Sequence, residues 1–214
     1  MRKIQVAIDS PAGAGAGTQA KLIAKHYNLF YLDTGKMYRL IGSLKIENKE
    51  KFNYSLIKKR ILKLKISDLN QKKLLSDKVA IEASILAKDK KIRKIVHNFQ
   101  TKCAYRPPSK FNGSVLDGRD ITSVIMKDAM FKFFITANVK TRALRRFREL
   151  KSLKKKITYK EVLKSIKKRD KNDLRRKYSP LIKTKDSILI NTTNLTKRSC
   201  FLKIKKIMDK KIIA

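Results

Sequence analysis

The chain opens with a β-rich run, Lys3–Asp9 (KIQVAID), that stops at a turn of small residues, Ser10–Gly17. Beyond that turn Leu22, Ile23 and Tyr27 recur at helical spacing. Strand, glycine-rich loop, helix is a narrow specification. In such a loop successive backbone N–H groups converge on phosphate oxygens, and the helix adds the positive end of its dipole. The stretch Ser10-Pro11-Ala12-Gly13-Ala14-Gly15-Ala16-Gly17-Thr18 stands where a Walker-type phosphate loop stands. That motif carries a lysine for the β/γ-phosphates and a hydroxyl for Mg²⁺. Here Ser10 replaces the first glycine, Ala16 replaces the lysine, and Thr18 is the expected Mg²⁺ hydroxyl. An ordinary glycine-rich turn is the plain alternative, but the strand–loop–helix order favours phosphate binding. Losing the lysine threatens phosphoryl transfer more than binding, since transfer depends on charge stabilisation and the backbone cradle remains.

Further along, Leu29–Leu32 reads as a second strand, broken at Asp33-Thr34-Gly35, and a helix follows with Met37, Leu40, Ile41 and Leu44 on one face. Lys45–Gln71 is lysine-rich and weakly patterned, the place expected for an insertion. Val79–Lys102 reads as helix, interrupted near Lys88–Lys91 and ended by Pro107-Pro108. Ser114–Leu116, Phe131–Thr136 and Ser187–Asn191 complete a set of five strands, with basic helices at Val139–Leu153 and Tyr159–Lys171 and a last helix at Thr196–Ile213. This alternation predicts an α/β fold with a doubly wound parallel five-stranded sheet, whose ligands sit at the carboxyl ends of the strands.

Two further motifs fall at such strand ends. Leu32-Asp33-Thr34-Gly35-Lys36-Met37-Tyr38-Arg39 sets a hydroxyl, a glycine turn and an arginine at the start of the second helix. Arg39 has the planar fork that grips a phosphate with two parallel hydrogen bonds, though an arginine solvated at the surface is also open. Leu116-Asp117-Gly118-Arg119-Asp120 ends an apolar strand in aspartate, where a phosphate-loop protein keeps its Mg²⁺-associated carboxylate. A capped turn before a helix is the alternative there.

With these residues in view the sequence resembles bacterial cytidylate kinases. The resemblance takes in Ile8–Thr18, Leu32–Arg39, Ser84 with Arg93, Asp117–Asp120, the Arg142–Arg146 cluster, Arg169-Asp170 through Asp173, Arg176, Pro180, Leu181 and Ile190–Leu195. It implies one nucleoside monophosphate kinase domain over residues 1–214: a core of 1–44, 100–141 and 172–214, an acceptor-binding insertion at about 45–99, and a lid at about 142–171. It also implies ATP and Mg²⁺ as cofactors and CMP or dCMP as acceptors. Arg39, Arg119 and Arg176 fall to the acceptor phosphate, Ser84, Arg93 and Asp120 to cytosine, and Thr34, Arg169 and Asp173 to the pentose. Asp117, Arg119 and Arg146 are the expected catalytic side chains. Asp120 makes chemical sense independently, because a carboxylate accepts from the cytosine N4 amino group and faces an acceptor, O4, in uracil. The family's β-rich insertion is expected in shortened form between Lys45 and Leu75. Arg142, Arg145, Arg146 and Arg148 are expected to supply the charge that Ala16 lacks, with Lys21 the weaker candidate.

Composition sets the alternatives. The chain has 55 Lys+Arg against 17 Asp+Glu, a formal charge of +38, which attracts polyanions. The excess is spread along the whole chain and no aromatic-interleaved basic motif accompanies it, so no dedicated nucleic-acid partner is expected. Cys103 and Cys200 lack metal-ligand spacing and are expected to be reduced. The apolar run after Met1-Arg2-Lys3 is too short and polar for a leader, and no stretch approaches the roughly 20 residues of a membrane span. A cytoplasmic monomer without membrane contact is the expectation. An adenylate-kinase-type enzyme remains open on Gly17-Thr18-Gln19-Ala20-Lys21, although Arg119-Asp120 after Gly118 and Tyr38 before Arg39 argue against it. A nucleotide-binding protein without turnover would explain Ala16, and leaves the acceptor-side residues without a reason.

Overall fold

The computed structural model describes residues 3–154 and 156–213. Met1, Arg2, Lys155 and Ala214 lie outside the described residues, so the expected lid and the expected single domain are described without them. Five strands, β1 (Ile4–Asp9), β2 (Phe30–Asp33), β3 (Gly113–Gly118), β4 (Phe131–Thr136) and β5 (Ile188–Asn191), form one all-parallel sheet in the order β2-β3-β1-β4-β5. From β1 the chain moves to one side for β2 and β3 and to the other for β4 and β5. The carboxyl end of β1 is therefore the crevice of a doubly wound sheet.

Period-two alternation splits the strand residues between two cores. Ala7, Leu32 and Leu116 pack under α2 (Thr34–Glu47), α4 (Asp77–Leu86) and α5 (Lys90–Tyr105). Val6, Ile8, Val115, Phe133 and Ile190 pack on the other face against α1 (Ala16–Tyr27) and α8 (Lys197–Ile213). A third cluster, Ala143, Leu150, Val162 and Ile166, joins α6 (Val139–Ser152) to α7 (Tyr159–Arg175) as a helical hairpin.

The insertion departs from expectation. Among the described residues no strand lies between β2 and β3; α2 runs on to Glu47, and α3 (Tyr54–Leu62), two 3₁₀ turns (Ile66–Asn70, Lys72–Leu75) and α4 fill the segment. Local caps explain this. Asn53 accepts from Leu56 N at 2.9 Å and Ser76 from Val79 N at 3.2 Å, each satisfying a free amide of a new helix. Ile57 and Ile61, one turn apart, bury their side chains in the first core. The interruption expected near Lys88–Lys91 is present: α4 ends at Leu86 and α5 starts at Lys90, its cap Asp89 accepting from Lys91 N at 2.7 Å and Ile92 N at 3.1 Å. All five strands lie within residues 1–44, 100–141 and 172–214, and α5 runs across position 100. Among the described residues no helix is long and apolar enough to cross a membrane.

Candidate active site

Register builds the site. Asp33 pairs with Asp117 across β2 and β3, and Asp9 pairs with Gly118 across β1 and β3, so three acidic strand ends meet at one edge. Their fates differ. Asp9 is fully buried and structural: Oδ1 accepts from Ile121 N at 2.7 Å, and Oδ2 from Thr122 N at 2.8 Å and Thr122 Oγ1 at 2.6 Å. It pins the turn that follows Asp120, a role that sequence reasoning missed. Burial raises its carboxyl from 3.8 to about 6 despite those three bonds. A raised carboxyl contributes stability that is present in full below pH 3.8 and lost as pH climbs through about 6. Asp9→Ala should destabilise the protein by about 3 kcal/mol, because three donors lose their acceptor. Urea denaturation should show a larger deficit at pH 4.5 than at pH 7.5, since only the native protein carries that slope.

Asp33 caps α2, accepting from Lys36 N at 3.1 Å. Asp117 has a buried Oδ1 without a hydrogen-bond partner. Burial, and next the Asp33 carboxylate, push the Asp117 carboxyl well above the usual range, against the opposing pull of Tyr31, Arg119 and Lys21.

The glycine-rich loop Ser10–Thr18 lines one cavity with Asp33 and Asp117. Gly13 (φ 76°) and Gly15 (φ 92°) adopt left-handed backbone that only glycine takes without cost, and a side chain at Gly13 would meet Arg142 O at 3.1 Å. Ser10 keeps negative φ, so the loop does not need the glycine it lacks there. The hydroxyl position needs correction. Counting the motif from Ser10, the residue after the missing lysine is Gly17, one before Thr18. A Cβ at Gly17 would stand 3.5 Å from Asp117 Oδ2 and 3.4 Å from Tyr31 Oη, so the position facing the carboxylate carries no side chain. Thr18 is exposed on the cleft wall. A divalent cation fits what is present: Asp117 offers an unpartnered oxygen and Asp33 a second carboxylate. Among the described residues no group of three His, Cys, Asp or Glu surrounds them. Mg²⁺ is commonly held by one or two carboxylates, with water and phosphate oxygens completing its shell.

The four arginines of α6 do different things. Arg142 is tied down, donating to Ala12 O at 2.9 Å, to Ala137 O at 2.9 Å and with two nitrogens to Asp170. Arg145 donates to Thr192 O at 2.6 Å and Thr192 Oγ1 at 2.9 Å, and that hydroxyl in turn donates to Ala14 O at 3.1 Å. Both support the loop from behind and neither is free to cross it. Arg148 is exposed and outside the cleft. Arg146 does line the loop cavity, paired there with Asp77 at 3.1 Å and Glu149 at 3.0 Å.

A second cavity adjoins the loop, and its walls include Thr34, Arg39, Ser84, Arg93, Arg119, Asp120, Arg169, Asp173 and Arg176. Residues up to 142 positions apart in sequence thus meet around one space. Arg93 pairs with Asp120, Arg119 Nε donates to Asp173 Oδ2 at 2.7 Å, and Arg176 lies 3.8 Å from Asp120. Thr34 Oγ1 donates to Asp117 O at 2.8 Å, which fastens the start of α2 to the end of β3. Arg39, Arg119 and Arg169 face both this cavity and the loop cavity. Burial first, then Arg119 and Arg39, lower the Arg169 guanidinium to about 10, against the opposing pull of Asp173. Eight buried side-chain polar atoms among the described residues have no hydrogen-bond partner; all but Ser123 Oγ belong to residues that line these two cavities or the hollow behind the loop. Unsatisfied polar atoms concentrated in a cleft mark where a ligand belongs.

The family model described as cytidylate kinase matches residues 6–210. The cytidylate kinase of Thermosipho melanesiensis is 39% identical over 212 residues, covering 97% of this chain and 97% of the relative. That of Clostridium botulinum, strain Loch Maree, is 38% identical over 221 residues, with 98% and 96% covered. That of Clostridium tetani is 39% identical over 228 aligned positions, with 99% and 96% covered. Among solved structures, an uncharacterized protein from Eubacterium ventriosum superposes with a TM-score of 0.55 at 19% identity, covering 97% of this chain and 99% of its own, a likeness of fold.

Proposed function

Because the chain belongs to the cytidylate kinase family, we propose that it transfers the terminal phosphoryl group of ATP to CMP or dCMP. One observation carries the reading: a cavity walled by the acceptor-side residues opens onto the phosphate loop, and Arg39, Arg119 and Arg169 stand at the junction. An acceptor phosphate held from the first cavity and a donor phosphate held by the loop would meet under those three cations.

The donor nucleoside would lie in the hollow on the other side of the loop, where Gln19 Nε2 donates to Lys197 O at 3.1 Å and Gln19 Oε1 has no partner. Loop amides from Gly13 to Thr18 would cradle its phosphates. Asp117 and Asp33 would hold Mg²⁺, which when bound neutralises charge on the donor phosphates. In the acceptor cavity Asp120 would accept from the cytosine amino group, with Arg93 and Ser84 completing the base edge. Asp173, Arg169 and Thr34 would meet the pentose, and Arg39, Arg119 and Arg176 the phosphate. Transfer needs no covalent intermediate: closure excludes water, arginines fix the two phosphates, and charge stabilisation carries the step.

A panel of CMP, dCMP, UMP and AMP with ATP and Mg²⁺ tests the reading. CDP and dCDP should form fastest; faster turnover of AMP would move the protein to an adenylate-kinase role. Asp120→Asn should narrow the ratio of CMP to UMP turnover by about tenfold or more, because an amide can donate to uracil O4 where the carboxylate repels it. An unchanged ratio would take Asp120 out of base reading.

A further inference from the structure

The loop lacks its lysine, yet another lysine reaches the same space by a different path. Lys21 lies four residues beyond Gly17 on α1, so the two share one face of the helix. Long helical side chains lean toward the helix N-terminus, over the residue one turn before. That residue is a glycine, and the vacant Cβ position above it is 3.5 Å from Asp117 Oδ2. Nothing on Gly17 obstructs a lysine running along this lane toward the loop. Lys21 lines the loop cavity with Asp117 and Tyr31, and its charge bears on the Asp117 carboxyl. It is exposed, and among the described residues it makes no ion pair.

Of the other cations that line the loop cavity, Arg39 donates to Leu74 O at 2.7 Å, Arg169 is shared with the second cavity, and the rest are engaged. Arg142 and Arg145 are bonded to carbonyls behind the loop, Arg119 to Asp173, and Arg146 to Asp77 and Glu149. Lys36 reaches away to Asn70 Oδ1 at 3.4 Å. Lys21 therefore combines access with freedom, while Ala16 is 4% exposed and packed in the second core.

From this geometry we propose that Lys21, reaching forward over Gly17, is the cation that contacts the donor phosphates in place of the residue missing at position 16. The inference rests on the kinase reading above. During transfer an oxygen of the acceptor phosphate bonds to the γ-phosphorus, the bond from γ-phosphorus to the bridging β–γ oxygen breaks, and its electron pair leaves with ADP. Lys21 stays protonated throughout and stabilises the charge building on that leaving group. The absence of a side chain at 17 is part of the device: it opens the lane that Lys21 uses.

The test compares native protein, Lys21→Met, Lys21→Arg and the double variant Ala16→Lys/Lys21→Met. Turnover is measured with ATP, Mg²⁺ and CMP, and binding of Mg·ATP and of CMP is measured separately by calorimetry. Lys21→Met should lower turnover about 100-fold, the scale of one preorganised charge, and weaken Mg·ATP binding about tenfold with CMP binding unchanged. Lys21→Arg should keep most of the Mg·ATP affinity, and Ala16→Lys should recover at least tenfold in the Lys21→Met background. Turnover and Mg·ATP affinity of Lys21→Met both within threefold of native would overturn the proposal. Equal losses for Mg·ATP and CMP would also overturn it, by showing a general disturbance. If the native protein forms no CDP the kinase reading fails, and calorimetry still decides Lys21: a tenfold loss confined to Mg·ATP supports its phosphate contact, and an unaltered affinity refutes it.

Discussion

Asp117→Asn should lower the rate of CDP formation by about a thousandfold, at the upper end of what one preorganised electrostatic group supplies, while CMP affinity stays within about twofold. Asp117 faces the loop cavity and is absent from the walls of the second cavity, where we place the acceptor, so the two effects separate. The same variant carries a stability signature. The Asp117 carboxyl is raised by burial and by Asp33, so the folded protein favours its protonated form. That contribution is complete below the ordinary carboxylate range and is lost as pH rises through the elevated folded value. Asparagine imitates the protonated carboxyl at every pH. Asp117→Asn should therefore gain on the native protein as pH rises from 5 to 9 in urea titrations without Mg²⁺. A rate within tenfold of native would mean that the cation is held elsewhere. A flat stability difference would mean that Asp33 and Asp117 do not share a dry site.

Gly118→Ala should be the most damaging small substitution at the cleft. Its Cβ would fall 2.4 Å from Thr34 Oγ1 and 2.9 Å from Ile121 Cδ1, at the junction of the two cavities. Thr34 cannot retreat without releasing Asp117 O, and Ile121 is fully buried. Overpacking of this kind costs about 3 kcal/mol, or about 10 °C in Tm for a chain of this size. Turnover should fall at least a hundredfold, because shifting α2 misdirects Arg39 and a misplacement of about 1 Å has that effect. Adding Thr34→Ala removes the oxygen that is struck first and should return part of the lost stability; no coupling between the two changes would show that the strain lies elsewhere.

The elements were legible where two levels of pattern agreed. Phe131–Thr136 is a short aromatic and β-branched run and is a strand with those bounds, and the break between α4 and α5 follows from Asp89 as a cap. The insertion was not legible as helix, because interspersed lysines mask the few apolar contacts, Ile57 and Ile61, that fix its faces. The residues that wall the second cavity could be named from the family resemblance and, for Arg39, Arg119 and Asp120, from motifs at strand ends. The carboxylate pair Asp33–Asp117 could not, since it depends on strand register, and neither could Asp9, whose partners are backbone amides more than a hundred residues away. The role proposed for Lys21 is hidden from the sequence for a related reason: its reach depends on what Gly17 lacks, and motif reading attends to the side chains that are there.

The sheet order also sets a timetable. Of the five strands β1 is the first to leave the ribosome and the central one in the sheet, yet its neighbours are residues 113–118 and 131–136. At translation rates of roughly 5–20 residues per second, Val6, Ala7 and Ile8 wait on the order of ten seconds for both flanking strands. Until then an apolar strand lies with both edges open, available to any other nascent chain in the same condition. Early synthesis can offer only local company, with α1 and α2 folding back near it, and the pairing that closes the sheet is long-range and slow. Yield in the cell is thus governed by a step that equilibrium stability does not measure. Weakening β3 or β4 would be felt first as aggregated protein, and only afterwards as a lower melting temperature.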